Sequence, residues 1–243
     1  MLILAVETST PTGSVALVEA PLGEKKNCPE VKCLGEHTLN LPGTHSEKLM
    51  PAIDNLLREA SLSIDDIGGI ALALGPGSFT GLRIGVSTVK GLAYALQVPV
   101  VGVPTLDALA QNLCYAPSLV CPVLDARKKE VYAALFRGDG GGRLEKISED
   151  WVIAPEDLCS RITEKVIFLG NGIEVYGETF RKKLGPQVLF ASPEFSLPRA
   201  VHVARLSLPQ FTNGRTLNLF SFTPVYLRRS EAETHYQAQK ENT

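Results

Sequence analysis

The sequence predicts a mixed α/β fold made of two similar lobes, and three observations support this prediction. Short apolar runs alternate with amphipathic stretches, as in folds where helices cover a sheet. An apolar strand that ends in an acidic residue and returns after a polar turn occurs twice, at Glu7 and at Asp125. A strand followed by a glycine turn and a helix also occurs twice, from 70 and from 166. Such repetition indicates a duplicated unit.

In the first lobe, each element follows from apolar periodicity and from turn signals. The pattern Thr44-x-x-Glu47 is typical of a capping box and begins the first helix, in which Pro51 should introduce a kink or a restart. Ser78 is the predicted N-cap of the second helix. In chain order we predict strands at 2–6, 14–19 and 31–38, a helix at 45–60, a strand at 70–74, a helix at 78–96, a strand at 98–103 and a helix at 105–115.

The second lobe begins with the same order of elements. Strands are predicted at 119–124 and 131–137, and a third strand at 166–169 precedes a glycine turn and a helical stretch. We place the first lobe at 1–100 and the second lobe at 101–230. The polar residues 231–243 form a tail that is expected to fray.

Composition excludes several classes of protein. The formal net charge of −2 over 243 residues gives no basic footprint, which disfavours a stand-alone nucleic-acid binder. The five cysteines are odd in number and irregularly spaced, so neither a zinc site nor a disulfide framework is predicted. The amino terminus lacks a basic signal-peptide region, and no apolar run approaches a membrane span. We therefore expect a soluble, cytoplasmic protein with no membrane association.

The predicted helix at 78–96 carries three glycines, although each glycine inside a helix costs about 1 kcal/mol relative to alanine. Gly81, Gly85 and Thr88 fall on one face of that helix. Small residues there let a second helix or a ligand approach the backbone closely. This face is the most unusual feature of the sequence.

Acidic strand ends and glycine turns before helices are one way to hold a magnesium nucleotide between two lobes. The alternative is a tight turn without a ligand, and the stretch matches neither the Walker A pattern nor a dinucleotide fingerprint. The candidate nucleotide-binding residues, as a vestigial site, are Glu7, Thr8, Ser9, Gly75, Gly77, Ser78 and Asp125.

Several strings resemble the TsaB (YeaZ) family and span most of the chain, among them LAVETSTPTGSVAL, LGPGSFTGLRIGVSTVKGLA and LDARKKEVY. The resemblance implies duplicated ribonuclease-H-like lobes of the actin/sugar-kinase/Hsp70 (ASKHA) superfold. It also implies a scaffold role beside the catalytic paralogue TsaD. That complex, with the ATPase TsaE, transfers a threonylcarbamoyl group to N6 of the adenosine beside the anticodon of ANN-decoding tRNAs.

The resemblance also implies that this chain is not catalytic. The catalytic paralogue holds its metal with two histidines one helical turn apart and an aspartate from the other lobe. In this sequence the matching helix offers only His45, because Leu41 and Leu49 occupy the positions four residues away. We therefore predict no metal and no resident cofactor. Whether a nucleotide binds at the junction with the partner stays open.

Family members pair with TsaD, or with themselves when alone, through two helices that correspond here to 45–60 and 78–96. On this interpretation a bulky residue at Gly85 should abolish binding while the protein stays folded. The alternative is that the apolar candidates face this protein's own sheet, and Arg83 is either a polar anchor or a solvated charge. The candidate interface residues are His45, Leu49, Met50, Ile53, Leu57, Phe79, Gly81, Arg83, Gly85 and Thr88.

Three further interpretations remain open at this stage. The basic clusters Arg127-Lys128-Lys129 and Arg228-Arg229 either contact tRNA phosphates within the complex or are solvated charges. An ATP-dependent phosphotransferase would use Glu7, Asp125 and the glycine turn. A protease-like processing factor is the weakest alternative, because neither H-E-x-x-H nor G-x-S-x-G occurs.

Overall fold

The computed structural model describes residues 1–21, 31–40 and 45–228 of the chain. Within these residues it contains two β-sheets with helices packed against them, so the predicted mixed α/β class is confirmed. The capping residue Thr44, Arg229 and the tail at 231–243 lie outside the described residues.

The first sheet has the strand order β3-β2-β1-β4-β5. The first three strands form an antiparallel meander, and β4 and β5 run parallel to β1. All five predicted strands are therefore present, with ends that differ by a few residues. Their bounds are β1 Leu2–Glu7, β2 Gly13–Glu19, β3 Lys32–Leu39, β4 Gly69–Gly75 and β5 Val100–Pro104.

Two helices, α1 (His45–Glu59) and α2 (Phe79–Leu96), cover one face of this sheet. As predicted, Ser78 caps α2, and its hydroxyl accepts a hydrogen bond from the Gly81 N–H at 3.3 Å. The predicted restart of α1 at Pro51 is wrong, since the helix runs through this residue without interruption. Pro51 is exposed near the start of α1, where water can replace the one backbone hydrogen bond that the proline removes.

The second sheet repeats the order of the first, β10-β7-β6-β11-β12. The strands β6, β7 and β10 are antiparallel, and β11 and β12 run parallel to β6. This identical order confirms the predicted duplication of a ribonuclease-H-like lobe. The bounds are β6 Leu119–Arg127, β7 Glu130–Ala133, β10 Trp151–Ile153, β11 Val166–Leu169 and β12 Val188–Phe190.

The predicted strand at 131–137 is divided in the structure. β7 pairs with the end of β6, whereas β8 (Phe136–Gly138) pairs with the beginning of β6 and with β9 (Leu144–Lys146). The chain must change its course between these two pairings, so one continuous strand is impossible.

The helices form three layers around the two sheets. α4 (Pro155–Ser160) and α5 (Gly172–Leu184) cover the outer face of the second sheet. α3 (Thr105–Ala110) contributes to the cores of both sheets, and α6 (Ala200–Thr212) packs on the first sheet although it follows the second one in the chain. This exchange ties the two lobes together.

The predicted boundary at residue 100 needs correction, because it cuts β5. That strand pairs with β4 and belongs to the first sheet. The first continuous stretch of the first lobe therefore ends at Pro104. After α6, the C-terminal segment (residues 213–228) also returns to the first lobe, where the Leu217 N–H donates to the Val100 carbonyl at 2.8 Å. The lobes are therefore units in space but are not two continuous stretches of sequence.

Candidate functional site

The two lobes meet along a cleft formed by the loops that follow β1 and β4 in the first lobe and β6 and β11 in the second. The cleft encloses about 650 Å³. Two loops from each duplicated half therefore reach the same cavity. Residues lining it are Ser9, Thr10, Pro11, Gly77, Ser78, Phe79, Arg83, Leu124, Asp125, Ala126, Arg127, Lys128, Tyr132, Asn171, Tyr226 and Arg228.

Glu7, at the end of β1, is fully buried. Burial raises the pKa of this carboxyl to about 7, and hydrogen bonding from Ser9 opposes the shift. One carboxyl oxygen accepts the Ser9 N–H, and the other has no hydrogen-bond partner among the described residues. Glu7 is absent from the cleft lining, so it does not present a carboxylate to a ligand there.

The glycines on α2 face the protein's own first loop. A side chain at Gly81 would collide with the Thr8 carbonyl, and one at Gly85 would collide with the Thr8 hydroxyl. The same hydroxyl donates to the Gly81 carbonyl at 2.8 Å, which fixes α2 against the end of β1. The prediction that Gly81 and Gly85 form a partner-binding face is therefore wrong, because Thr8 already fills the space they leave.

The turn after β4 is filled in a similar way. A side chain at Gly77 would meet the Ser9 carbonyl, which also accepts the Ser78 N–H at 2.6 Å. Gly75 has φ +117°, and an added Cβ would lie 2.6 Å from the Val225 carbonyl. These contacts within the chain account for both glycines without a phosphate, so the nucleotide interpretation of this turn is not needed.

Asp125 lies where β6 enters the cleft, and both of its carboxylate oxygens have partners. Oδ1 accepts the Arg127 N–H at 2.8 Å and the Tyr176 hydroxyl at 3.4 Å, while Oδ2 lies 3.2 Å from Arg127 Nη1. The Asp125 N–H donates to Asn171 Oδ1 at 3.1 Å, which joins the ends of β6 and β11. These bonds organise the loop that carries Arg127.

On α1, three of the predicted interface residues belong to the protein's own core. Leu49, Ile53 and Leu57 are between 1% and 6% exposed and pack with the first sheet. Their assignment to a partner surface is corrected, since an amphipathic helix buries its apolar face against its own sheet. His45 is half-buried, and its Nε2 lies 2.7 Å from the Thr10 carbonyl. Met50 is 43% exposed.

The exposed side of α2 differs from the side that the sequence singled out. Thr88 is half-buried there, whereas Ser87, Gly91 and Ala95 are exposed at intervals of four residues. Apart from its chain neighbours and the backbone of its own helix, no atom of the described residues lies within 4 Å of the position that a Cβ on Gly91 would take. Tyr94, beside them, is 67% exposed. We call these four residues the outer face of α2; the spacing of the small residues was the signal in the sequence that was missed.

Phe79 and Arg83, at the start of α2, turn towards the cleft. The Arg83 guanidinium lies 3.9 Å from the Phe79 ring centre, and its Nε donates to the Tyr226 hydroxyl at 3.2 Å. The rings of Phe79 and Tyr226 are 4.9 Å apart. The C-terminal segment therefore places Tyr226 beside α2, although 143 residues separate it from Arg83.

Members of both basic clusters of the sequence line this cleft. Arg127 and Lys128 line it from the second lobe, and Arg228 lines it from the C-terminal segment. Arg228 donates to Glu130 at 2.9 Å, next to the turn that carries the first cluster. Arg83 joins them from α2. Sequence analysis found both clusters but gave no sign that they are neighbours.

Two kinds of feature are absent from the described ranges. Among residues 1–21, 31–40 and 45–228, no three histidine, cysteine or acidic side chains are grouped as a metal site. No helix in the same ranges combines the length and the apolar character that crossing a membrane requires.

Known proteins resemble this chain over nearly its full length. The family model "TsaD: tRNA N6-adenosine threonylcarbamoyltransferase" matches residues 42–236. The "tRNA threonylcarbamoyladenosine biosynthesis protein TsaB" of Bacillus subtilis is 31% identical, covering 99% of this chain and 100% of the relative. The Escherichia coli protein of the same name is 30% identical, covering 96% of each chain.

A solved structure agrees with these relatives. "YeaZ from Pseudomonas aeruginosa" superposes with a TM-score of 0.74 at 30% identity, covering 93% of this chain and 99% of that one. On the combined likeness in sequence and in fold, the chain belongs to the TsaB (YeaZ) family, and its match to the TsaD model is that of a related domain.

Proposed function

We propose that this protein is a non-catalytic subunit in the synthesis of threonylcarbamoyladenosine in tRNA. In this role it binds a catalytic TsaD-type paralogue and supports its activity. Membership of the TsaB family supports the pathway, because relatives are named for this biosynthesis. The observation that carries the subunit role is the outer face of α2, an exposed helix surface stripped of bulk.

The outer face of α2 has the properties that close packing of a second helix needs. Ser87, Gly91 and Ala95 repeat at the spacing of one helical turn, so a neighbouring backbone can approach closely. Tyr94 and Met50, both exposed, supply apolar area beside the small residues. Gly91 has no contact that would require a glycine for folding, yet it weakens the helix by about 1 kcal/mol relative to alanine. Docking explains that cost.

The environment of the candidate catalytic groups supports a non-catalytic role. His45 Nε2 is engaged with the Thr10 carbonyl, Asp125 is bonded on both oxygens, and Glu7 is sealed from the cleft. Each of these groups is committed to holding loops in place. The chemistry therefore belongs to the partner.

In the proposed complex, TsaD transfers the threonylcarbamoyl group to N6 of the adenosine beside the anticodon, and TsaE acts as the associated ATPase. The tRNA is bound by the complex as a whole. In the absence of TsaD, the outer face of α2 is available to pair with a second copy of this chain. A nucleotide at the junction between the two proteins is compatible with this arrangement.

Size-exclusion chromatography with light scattering tests the proposal, using the full chain, its cognate TsaD and the variant Gly91→Leu. The added side chain enters open space, so the variant folds, but its bulk holds the partner helix away. We expect binding at least about tenfold weaker, equivalent to about 1.4 kcal/mol. Gly85→Leu is unsuitable, because it collides with Thr8 inside the protein.

Glu178→Leu is the matched control, because Glu178 is an exposed position on α5, on the opposite side of the molecule. This variant should bind TsaD like the wild type. Equal binding by Gly91→Leu and by the wild type would overturn the proposed docking face. Failure of the wild type to form any complex with TsaD would overturn the proposed function.

A further inference from the structure

The cleft between the lobes concentrates positive charge in a protein whose formal net charge is −2. Arg83, Arg127, Lys128 and Arg228 line it, and they come from three separate parts of the chain. Asp125 is the acidic residue in the lining, and Glu130 lies beside Arg228. Among the described residues at the cleft, the four cations therefore outnumber these two carboxylates.

Aromatic rings lie among these cations. Phe79 and Tyr226 are each 37% exposed, and their planes are inclined by only 32°. The Arg83 guanidinium lies over the Phe79 ring and also donates to the Tyr226 hydroxyl. A flat ring system with free area beside arginines is the combination that stacks an unpaired nucleobase.

The turn between β6 and β7 keeps its basic side chains at the cleft despite an unfavourable backbone. Arg127, Lys128 and Lys129 all have left-handed φ angles, of 62°, 52° and 64°. This conformation costs roughly 1 kcal/mol or more for each residue that is not glycine. Asparagine and glycine are the usual residues of such a turn. The sequence has three basic residues there instead.

The groups that face the cleft suit bare phosphates better than a magnesium nucleotide. The carboxylate of Asp125 is already engaged by Arg127 and Tyr176, so it has little capacity left for a metal ion. The Ser78 N–H is taken by the Ser9 carbonyl. Arginine side chains neutralise phosphate directly, without a metal.

We propose that this cleft binds a single-stranded segment of RNA. Arg127, Lys128 and Arg228 contact about three backbone phosphates, and one base stacks against Phe79 and Tyr226. The inference rests on the proposed function, in which tRNA is the substrate of the complex, and it names the surface by which this subunit contacts that substrate. A free nucleotide carries the same phosphate and base groups, so the test must distinguish nucleotide binding from RNA binding.

Fluorescence anisotropy with a labelled ten-nucleotide single-stranded RNA tests this, on the full chain and on its complex with TsaD, at 50 and 200 mM salt. The double variant Arg127→Glu/Lys128→Glu should lower the affinity at least tenfold. It should also reduce the slope of log affinity against log salt by about 1.4, since about 0.7 is lost for each phosphate contact to a single strand. Tyr226→Leu should weaken binding and leave the slope unchanged.

The double variant Lys182→Glu/Lys183→Glu is the control, because it makes the same change of charge on exposed positions of α5. It should bind RNA like the wild type. Unmodified tRNA should displace the labelled RNA, whereas 1 mM ATP should not. If ATP displaces it as well as tRNA does, the cleft is a nucleotide site and the RNA proposal is overturned.

Equal RNA affinity of the cleft variant and the wild type, alone and in the complex, would also overturn the proposal. Binding to TsaD is measured on the same samples by light scattering. A complex that forms normally but gains no RNA affinity from the cleft rejects this inference and leaves the proposed function standing. RNA binding by the cleft without any complex with TsaD would support this inference and overturn the proposed function.

Discussion

Lys129, in the turn between β6 and β7, shows how a single residue trades stability for position. It is exposed and has φ 64°, so a residue with a Cβ atom occupies a conformation that glycine adopts more readily. The two residues before it share this conformation. Glycines elsewhere in the chain occupy comparable angles, as at Gly140 and Gly214. The backbone therefore carries a local cost at this turn that folding does not require.

We predict that Lys129→Gly stabilises the protein. Relief of the left-handed conformation is worth about 1 to 2 kcal/mol, and the greater freedom of glycine in the unfolded chain returns about 0.4 to 1 kcal/mol of that. The free energy of unfolding measured with urea should therefore rise by about 0.5 to 1 kcal/mol. Lys182→Gly, within α5, should instead lower it by about 1 kcal/mol. A lower free energy of unfolding for both variants would contradict the backbone strain assigned to Lys129.

At the residue scale, the sequence showed the properties of single residues better than it showed which residues they contact. Periodicity correctly showed that Gly81 and Gly85 leave one side of α2 without bulk. It did not show that Thr8, 73 residues before Gly81, fills that side. Contacts of such long sequence separation leave no local pattern. Leu49 is a similar case, because an apolar helix face looks the same whether its own sheet or a partner covers it.

At the scale of elements, the C-terminal segment is the part that organises the cleft. It lies along α2, with Lys90 donating to the Phe220 carbonyl at 3.4 Å, and the Val225 N–H donates to the Leu74 carbonyl at 2.8 Å. Phe222 is buried in the core of the first lobe. The segment has no regular secondary structure, so its position depends on these contacts and on the space that Gly75 leaves for it.

We predict that Gly75→Ala displaces this segment. The new methyl group would lie 2.6 Å from the Val225 carbonyl, and alanine is also strained at φ +117°. The rest of the fold does not depend on that contact, so the loss should be local. Hydrogen exchange should become faster at Val225, whereas the amides of β1 keep their protection. Unchanged exchange at Val225 would contradict the role assigned to Gly75.

Elements with a clear period were predictable, and those defined by tertiary contacts were not. The five strands of the first sheet, the strands β6 and β11 and the helix α2 follow from apolar runs and from the cap at Ser78, whereas the short strands β9, β10 and β12 were not predicted. The division of 131–137 into β7 and β8 depends on which part of β6 each strand meets. Similarly, α6 has the pattern of any amphipathic helix, and nothing local places it on the first sheet.

At the scale of the whole molecule, two buried titratable groups have opposite effects on stability. Burial raises the pKa of Glu7 to about 7, so the folded state binds its proton more tightly and stability falls as the pH rises from about 4.5 to 7. Burial lowers the pKa of His202 to about 4, with help from the charges of Arg205 and Arg199. Its folded state binds the proton less tightly, so stability rises between about 4 and 6.5.

These opposite slopes overlap between about pH 4.5 and 6.5, and each corresponds to about 1.4 kcal/mol per pH unit for one proton. In the wild type they cancel, so these two groups leave its stability nearly constant over that range. We predict that Glu7→Gln exposes the His202 slope, so that the free energy of unfolding rises with pH. His202→Gln should expose the Glu7 slope, so that it falls. Urea unfolding at pH 5.0 and 6.5 measures both.

The double variant Glu7→Gln/His202→Gln completes the comparison. It lacks both titrating groups, so neither should contribute to the pH dependence of its stability. Other carboxyls with shifted pKa values, such as Asp107, titrate alike in all four proteins, so the differences between variants isolate the two sites. Parallel pH profiles for the wild type and both single variants would show that neither group is shifted in the folded protein. Opposed profiles would show that Glu7, at the end of β1, and His202, on α6, contribute opposite pH dependences that offset each other in the stability of the whole molecule.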